Sequence, residues 1–589
     1  MTTIYPEVMG REVMIATEHY LSASAGARMF ARGGNAIDAA VAATFVEGIV
    51  NPHMHTIGGE APMLIYVASE RRVVAINGNT MAPARATIEH FRKAEYDLVP
   101  GEGLLAAGVP AAFAALATAL AKFGTMTLAE VLEPAMHLSA DGMPMHAGLS
   151  GHGETPEDLS GLIGLASILS NERKFREKWP TSAAIYLPGG EVPRPGDIIR
   201  NPALANCFGR LIEAEAGAQN RGREAAIDAA RDRFYSGDIA REIVRWSEAN
   251  GGLLQESDLA NFTTKLEEPV TVDYHGIAVH KCRPWSQGPV FLQQLRLLEG
   301  FDLKVMGHNS ANYIHTLVEA AKLAFADREA YYGDPDFTAV PMEALLSQRY
   351  AAIRRDLIDR GRAAADLRPG DPVGMRPLLD SGGSQPRSWG PGTIHVTAAD
   401  RQGNMVACTA SGGWIPSSPV IDTLGFPLGT RVQTFYLDPN HANALQPRKR
   451  PRTTLTPSIA TRDGQPFLSF GTPGGDQQDQ WTLQFFLNLV EFGMGVQEAI
   501  EAPRFSTAHF PSSFYPHGVR PGVLRIENRI AESICAELAA RGHQVEVRPA
   551  WCEGHVLGIR FDPARTILHG GADPRGQLAV VMAAQVIGW

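Results

Sequence analysis

An abrupt change of character at residue 392 constrains the fold of this chain more than any other sequence feature. Residues 364–392 are rich in Pro, Gly and Ser and lack a sustained hydrophobic period, which is typical of an exposed, poorly structured segment. Directly after it, residues 393–397 read as a β-strand, and a turn at 400–404 pairs this strand with residues 405–409. A strand that opens on a threonine at the end of such a segment marks this junction as a candidate functional element.

The composition limits the function classes that need to be considered. The chain has 589 residues, of which 44% are hydrophobic and 20% charged, and its formal net charge is −10. These values are typical of soluble globular proteins and exclude a disordered chain, a collagen-like fibre and a disulfide scaffold. A nucleic-acid partner is not expected, because it would require a concentrated positive surface. The five cysteines form no CxxC pair, which argues against a structural zinc site.

The periodicity differs between the two sides of the junction. Short strands and helices alternate up to residue 77, and residues 108–265 are mostly helical. After residue 393 the chain is rich in strands, including a predicted strand at 431–436. Helical and strand-rich halves that share layers predict an α+β fold, specifically a four-layer αββα sandwich.

We expect a cytoplasmic protein without a membrane partner. Charged residues at positions 7, 11, 12 and 18 interrupt the apolar core that a signal peptide requires. Residues 104–121 carry no charge, but they are rich in Ala and contain Gly108 and Pro110. That composition favours a buried helix over a membrane span.

Thr393 is the first candidate for catalysis. A threonine hydroxyl is a poor nucleophile until a base removes its proton. If the peptide bond after Gly392 is cut, the freed α-amine of Thr393 can act as that base, with a reference pKa of ~7.7–8.0. From these two residues alone, an ordinary threonine at a strand start is the commoner explanation.

Two further segments allow a functional interpretation, and each also has a simpler one. The glycines of residues 471–476 follow an apolar strand and can present backbone N–H groups to a developing oxyanion, although a tight turn has the same composition. Residues 449–457 join a basic cluster to several hydroxyl residues, which is also typical of a solvated loop. A metal site at His53, His55 and Glu60 is not expected, because a His-x-His pair without further placed ligands is a weak pattern.

Together these segments resemble the γ-glutamyltranspeptidase (glutathione hydrolase) family of N-terminal-nucleophile hydrolases. Motifs in the family's order cover nearly the whole chain. They include GGNAIDAAVAA at 33–43, NPHMHTIGGE at 51–60, GHNSANYIHTLVEAAKLAFADREAYYGDPDF at 307–337, TIHVTAADRQGNMV at 393–406, KRPRTTLTPSI at 449–459 and GTPGGD at 471–476.

The resemblance implies a proenzyme that cuts itself before Thr393. The large subunit would be 1–392, with 364–392 as a flexible processing linker, and the small catalytic subunit would be 393–589. The two subunits stay associated, and a homo-oligomer of this heterodimer is compatible with the resemblance. No cofactor or metal is implied.

The resemblance also assigns roles to residues of the chemical step. Thr393 would be the nucleophile, with its α-amine as the base. Ser411 stands where a second hydroxyl residue positions the nucleophile, and Gly474 and Gly475 match the oxyanion-hole pair. The expected substrate is a small-molecule amide.

The substrate-binding positions depart from the family pattern. Asn79 stands where the family has an Arg that binds the γ-glutamyl carboxylate, and Thr434 replaces the Asp that binds the α-amino group. The family's Asn aligns with Gly413, and its Glu or Gln aligns with Arg431. Each lost charge-assisted hydrogen bond is worth ~1.5–3 kcal/mol, so several losses weaken recognition of a zwitterionic γ-glutamyl group.

The remaining substrate positions either carry conservative substitutions or offer contacts that differ from the family pattern. Thr453 and Thr454 replace a pair of serines that hold the substrate's α-carboxylate. Arg431, or the polar run that begins at Asp476, is a candidate contact for a different substrate. We therefore expect an acylase-like amidohydrolase or acyltransferase. A true γ-glutamyltransferase or glutathione hydrolase is the alternative, and an unprocessed, non-catalytic binding protein is a third interpretation.

Overall fold

The structure is a computed structural model of the uncleaved chain and describes residues 3–152, 166–377, 392–575 and 584–589. None of the helices in these ranges has the length and apolar character needed to cross a lipid bilayer. The first half of the predicted linker is held in place, because Gly370 N donates to Asp327 at 2.8 Å and Arg368 pairs with Glu319 at 3.1 Å. The rest of the linker, 378–391, lies outside the described residues.

Two antiparallel seven-stranded sheets form the centre of the molecule. Sheet I has the spatial strand order Gln585–Gly588, Val13–Thr17, Thr393–Asp400, Met405–Ser411, Met63–Val67, Arg72–Asn77 and Lys265–Glu267. Sheet II has the order Val8–Gly10, Ile567–Ala572, Leu557–Asp562, Gln465–Gly471, Ser458–Arg462, Ile277–Lys281 and Val270–Tyr274. Both sheets therefore combine strands from before and after residue 393.

Side-chain alternation along the strands creates the layers. In sheet I, Ile394 and Val396 pack into the core beneath the helices, whereas Ala399 packs into the core between the two sheets. Ile459 and Ile559 enter the inter-sheet core from sheet II. Because successive side chains of a strand point to opposite faces, each sheet contacts its own helices on one side and the other sheet on the other. The predicted α+β, four-layer αββα arrangement is confirmed.

Each sheet carries its own helical layer. The principal helices over sheet I are Tyr20–Ala31, Ala36–Val50, Ala112–Phe123, Leu128–Ala140, Pro202–Gly217, Arg223–Tyr235 and Asp238–Ala249. The principal helices over sheet II are Pro289–Leu298, Ala311–Tyr331, Gln478–Val490, Val496–Glu501 and Glu532–Ala540. A smaller sheet of Phe505–Thr507, Val523–Glu527 and Gln544–Arg548 lies beside this second layer.

Two local predictions need correction. The uncharged stretch 104–121 is buried as expected, but it is a short 3₁₀ turn, Leu104–Ala106, followed by the helix Ala112–Phe123. The strand predicted at 431–436 is wrong, because Arg431–Thr434 forms a 3₁₀ helix. The Thr434 hydroxyl donates to the carbonyl of Arg431 at 2.9 Å and closes that turn, a local side-chain hydrogen bond that competes with strand pairing.

Candidate active site

The candidate nucleophile lies at the open end of the central hairpin of sheet I. Thr393 is paired directly with Ser411 in the antiparallel register, and both side chains are on the strand face that points between the two sheets. Thr393 Oγ1 donates a hydrogen bond to Ser411 Oγ at 3.2 Å. The hairpin predicted from the sequence thus brings the two catalytic candidates together.

The carbonyl group immediately before Thr393 is held by two donors. Gly392 O accepts a hydrogen bond from Ser411 Oγ at 2.9 Å and one from Trp414 Nε1 at 2.6 Å. A Cβ added to Gly392 would lie 1.6 Å from Met54 Sδ, so a side chain at this position collides with its surroundings. The peptide bond between Gly392 and Thr393 is therefore both tightly packed and polarised.

A buried ion pair supports Ser411 from behind. Arg431 Nη2 donates to Ser411 Oγ at 2.8 Å, and Arg431 Nε lies 3.1 Å from Glu60 Oε1. The backbone of Glu60 also pairs with that of Ser411, with N–O distances of 2.7 and 2.9 Å. Burial raises the pKa of Glu60, and the charge and hydrogen bond of Arg431 offset part of that rise.

Aromatic rings enclose the guanidinium of Arg431. Its central carbon is 4.9 Å from the ring centroid of Trp414 and 5.3 Å from that of Phe514. Contacts of this kind place a cation against the electron-rich faces of aromatic rings. Phe514 also reaches the predicted oxyanion loop, because a Cβ built on Gly475 would lie 3.2 Å from its ring.

The predicted oxyanion loop, residues 471–476, contains two glycines with backbone angles that other residues rarely adopt. Gly474 and Gly475 have φ angles of +124° and +59°, and a Cβ on Gly474 would lie 2.1 Å from the ring of Trp481. The adjacent Asp476 anchors the loop, since its carboxylate accepts hydrogen bonds from Ser513 N at 2.9 Å and Ser513 Oγ at 2.7 Å. Asp476 also forms a buried salt bridge with Arg328.

Three of the predicted substrate contacts bond to the chain itself in this uncleaved form. Asn79 Nδ2 donates to Pro451 O at 2.6 Å, and the Thr434 hydroxyl is used in the 3₁₀ turn described above. Gly413 has a φ of +63°, and its carbonyl accepts from Thr56 Oγ1 at 2.8 Å. These positions therefore shape the wall of the site in this state.

The two threonines of the basic segment differ in their contacts. Thr453 is held through its backbone, with N donating to Trp285 O at 2.8 Å and O accepting from Gln287 N at 2.9 Å. Thr454 Oγ1 is buried and has no hydrogen-bond partner within the described part of the chain. A buried hydroxyl without a partner is unfavourable by itself and can be satisfied by a ligand.

The γ-glutamyltranspeptidase family model matches residues 22–583. The chain belongs to the γ-glutamyltranspeptidase family.

Two curated relatives illustrate the range of this family. The glutathione hydrolase-like YwrD proenzyme of Bacillus subtilis is 32% identical over 98% of this chain and 99% of its own length. The Acylase ACY 1 proenzyme of Pseudomonas sp. strain SE83 is 33% identical over 95% of this chain and 91% of its own. The chain is thus an enzyme of the γ-glutamyltransferase-like, amide-cleaving type.

Two solved structures share the whole fold. LmbA2991HD is 42% identical with a TM-score of 0.91 and full coverage of both chains. The cephalosporin acylase of Bacillus halodurans is 27% identical with a TM-score of 0.84, covering 100% of this chain and 98% of that one. The N-terminal-nucleophile hydrolase fold predicted from the sequence is confirmed.

Sequence reasoning missed two residues of the site in this γ-glutamyltranspeptidase family member. Trp414 was not singled out, although it follows Ser411 by three positions and is the first aromatic residue after that strand. Glu60 was considered only as a metal ligand, whereas the structure pairs it with Arg431. The sequence signal for this pair is two opposite charges in otherwise apolar segments, which becomes informative only when the fold brings them together.

The residues considered as metal ligands from the sequence have other partners in the structure. His55 Nδ1 lies 3.3 Å from Ser411 O, and Glu60 is occupied by Arg431. Among the described residues, the group with metal-ligand spacing is His315, Glu319 and His543, in the helical layer of sheet II. The carboxylate of Glu319 is already neutralised there by Lys322 and Arg368, which disfavours a cation.

Proposed function

We propose that this chain is a proenzyme that cuts itself before Thr393 and then cleaves an amide through an acyl-Thr393 intermediate. The observation that carries this proposal is the hydrogen bond from Thr393 Oγ1 to Ser411 Oγ beside a carbonyl held by two donors. A hydroxyl bonded to a neighbouring polar group and placed next to an electrophile is the arrangement that nucleophilic catalysis requires.

The freed α-amine of Thr393 is the proposed base for turnover. It removes the hydroxyl proton as Thr393 Oγ1 attacks the amide carbon of the substrate, and the negative charge moves to the carbonyl oxygen. Backbone N–H groups of Gly474 and Gly475 stabilise that oxyanion. Collapse breaks the carbon–nitrogen bond and passes the proton to the leaving amine, and water or an acceptor amine then resolves the ester.

Strand pairing supports the proposal that the subunits 1–392 and 393–589 stay together after cleavage. The strand Thr393–Asp400 pairs with Val13–Thr17, and Met405–Ser411 pairs with Met63–Val67. Sheet II likewise contains strands from both proposed subunits. Cutting one peptide bond leaves these backbone ladders intact, so separation would require both sheets to be dismantled.

The proposed substrate is an amide whose acyl group is not γ-glutamyl. Asn79 and Thr434 carry no charge and bond to the chain, so the groups expected to bind a γ-glutamyl zwitterion are missing. The ACY 1 and Bacillus halodurans relatives are named as acylases, which supports the acylase interpretation.

Hydrolysis or transfer of γ-glutamyl groups is the second candidate function. It is supported by the name of the YwrD relative and by the unpartnered hydroxyl of Thr454, which is suited to donate a hydrogen bond to a substrate carboxylate. The two candidates share the nucleophile and differ in the acyl group.

Self-cleavage is tested first. Purified wild-type protein should give two bands on a denaturing gel, and Thr393→Ala should give one band at full length. N-terminal sequencing of the smaller fragment should begin at Thr393. A wild-type protein that stays intact would contradict the catalytic proposal and favour a binding protein.

The acyl group is tested on the cleaved enzyme with a series of p-nitroanilides. We expect acyl groups such as glutaryl or phenylacetyl to be hydrolysed with a kcat/KM at least tenfold above that of γ-glutamyl-p-nitroanilide. Thr393→Ala is the matched control for background hydrolysis. A γ-glutamyl preference of the same size would establish the second candidate instead.

A further inference from the structure

We propose that Trp414 is a catalytic residue of self-cleavage, whose indole N–H stabilises the oxyanion that forms on Gly392 O. This inference rests on the proposed function, because it concerns the peptide bond that is cut. In this proposal, self-cleavage and amide turnover use different oxyanion donors: Trp414 for self-cleavage, and the Gly474–Gly475 loop for turnover.

The geometry of the indole is suited to this role. Trp414 Nε1 lies 2.6 Å from Gly392 O and 2.9 Å from Met54 O, so one N–H is shared between two carbonyl oxygens. The shorter contact is to the reacting carbonyl, and its 2.6 Å is slightly below the usual range of about 2.7–3.2 Å for N–H···O bonds. When negative charge develops on Gly392 O, this existing hydrogen bond becomes stronger without any movement of the ring.

The indole is also preorganised. Trp414 is fully buried, and its ring is covered by the guanidinium of Arg431 at 4.9 Å and by the edge of Phe514 at 6.3 Å. A donor that is already fixed when charge develops needs no reorganisation during the reaction, which is the basis of oxyanion stabilisation.

The chemical step balances with Ser411 as a proton relay. Thr393 Oγ1 attacks the Gly392 carbonyl carbon, and negative charge develops on Gly392 O, where the Trp414 N–H stabilises it. The Thr393 proton passes to Ser411 Oγ, and Ser411 then gives its own proton to Gly392 O, so the oxyanion exists until this transfer is complete. The tetrahedral intermediate then loses the bond from Gly392 carbon to Thr393 nitrogen, and the proton on Gly392 O is transferred to that nitrogen. Water hydrolyses the resulting ester, giving the Gly392 carboxylate and a Thr393 with a free hydroxyl and a free α-amine.

Trp414 is thus needed for the first reaction of the protein, in which the scissile carbonyl belongs to its own chain. The Gly474–Gly475 loop is assigned to later turnover of an external amide. The two reactions use the same nucleophile with different oxyanion donors, so a change at Trp414 slows processing.

The test measures the rate of self-cleavage of newly synthesised protein by pulse-chase and denaturing gel. Trp414→Phe removes the N–H and keeps an aromatic ring, and the rate should fall by about 10²–10³, the usual effect of one oxyanion donor. Trp285→Phe is the matched control, because it removes a buried indole N–H that bonds to Glu267 at 2.8 Å; its rate should match wild type.

A second variant separates the hydrogen bond from packing. Trp414→β-(3-benzothienyl)alanine keeps the bicyclic shape and lacks the N–H, so it should be slowed as much as Trp414→Phe while melting at the wild-type temperature. Cleavage of both variants at the wild-type rate would overturn the role of Trp414 and leave the proposed function standing. Failure of the wild type to cleave would overturn the proposed function itself.

Hydroxylamine gives an independent readout of the same step. It attacks the ester at Gly392 and should leave a hydroxamate on the large fragment, which mass spectrometry detects. The yield of hydroxamate in a fixed time should fall with the cleavage rate in both Trp414 variants. An unchanged yield would show that ester formation does not depend on the indole N–H.

Discussion

The side chains of Glu60 and Arg431 form an ion pair 3.1 Å long with no exposed surface on either partner, and Arg431 extends from it to Ser411 at 2.8 Å. Removing one partner leaves the other buried without its counter-charge, which typically costs about 3–5 kcal/mol. We therefore expect Glu60→Gln and Arg431→Met each to lower the free energy of unfolding strongly. The double variant should lose clearly less free energy of unfolding than the two single variants lose together.

The measurement is urea unfolding in a Thr393→Ala background, so that a single chain unfolds. Glu89→Gln is the control, because Glu89 pairs with Lys93 on the exposed surface at 2.8 Å and its loss should leave the unfolding midpoint unchanged. Strictly additive losses in the double variant would show that the two buried charges do not depend on each other.

The anchor of the oxyanion loop provides a prediction that separates turnover from processing. Asp476 accepts two hydrogen bonds from Ser513 and pairs with Arg328 directly after Gly475. Asp476→Asn weakens this anchor by removing its charge, so we expect kcat on an amide substrate to fall by about tenfold or more, since loosely held donors lose transition-state stabilisation. Self-cleavage should proceed at the wild-type rate.

Both rates are measured on the same preparation, self-cleavage by gel during synthesis and turnover by release of p-nitroaniline. Ser512→Ala, a change beside the anchor residue, is the control and should retain turnover. If Asp476→Asn slowed the two reactions equally, a single oxyanion site would serve both.

The glycine before the cleavage point is expected to be essential because of its packing. A Cβ on Gly392 would lie 1.6 Å from Met54 Sδ and 3.1 Å from Met54 Cα. Gly392→Ala therefore requires either the Met54 side chain or the Gly392 carbonyl to shift, and we expect self-cleavage to slow by about tenfold or more because the carbonyl moves away from its donors. Gly392→Ala combined with Met54→Ala should recover part of the rate, because the sulfur is removed while the backbone contact remains.

Band intensities over a time course measure this recovery, and Met54→Ala alone is the control, with a rate near that of wild type. A double variant as slow as Gly392→Ala would mean that the requirement for glycine is conformational and not a matter of space.

The sequence predicted the hairpin that contains Thr393 and Ser411 from short-range patterns, whereas the roles of these two residues came from the family resemblance and stay predictions. The hairpin from Thr393 was predicted from strand alternation and a turn, and its register places Ser411 opposite Thr393 without any tertiary information. Fold class followed from the order of helical and strand-rich regions.

The contacts of the Gly392 carbonyl could not be predicted in this way. Trp414 and Met54 are far apart in sequence and meet at Gly392 only because the loop after Ser411 packs against the segment after Val50. Arg431 lies in a 3₁₀ turn that was predicted as a strand, and a Thr434 hydroxyl bond decided the outcome. Secondary-structure propensities do not account for a side-chain hydrogen bond that competes with the backbone pairing of a strand.

A buried carboxyl predicts how stability depends on pH. Burial raises the pKa of Glu47 to about 7, although Ser22 Oγ donates to it at 2.6 Å and Asn51 Nδ2 at 2.7 Å. Between the ordinary value of 4.5 and 7, the folded protein holds this proton and the unfolded chain has lost it. The contribution of Glu47 to the free energy of unfolding is therefore greatest below pH 4.5. It declines by roughly 3 kcal/mol in total as the pH rises to 7.

Glu47→Gln keeps a neutral side chain at all pH values and can still bond to both neighbours, with its amide donating to Ser22 and its oxygen accepting from Asn51. We expect its stability to exceed that of the parent at pH 7 and to show a flatter profile between pH 4.5 and 7. Urea unfolding in the Thr393→Ala background at several pH values measures the two slopes. If the pH profiles of Glu47→Gln and its parent were parallel, Glu47 would ionise in the folded protein at the same pH as in the unfolded chain. The complete burial of Glu47 argues against that outcome.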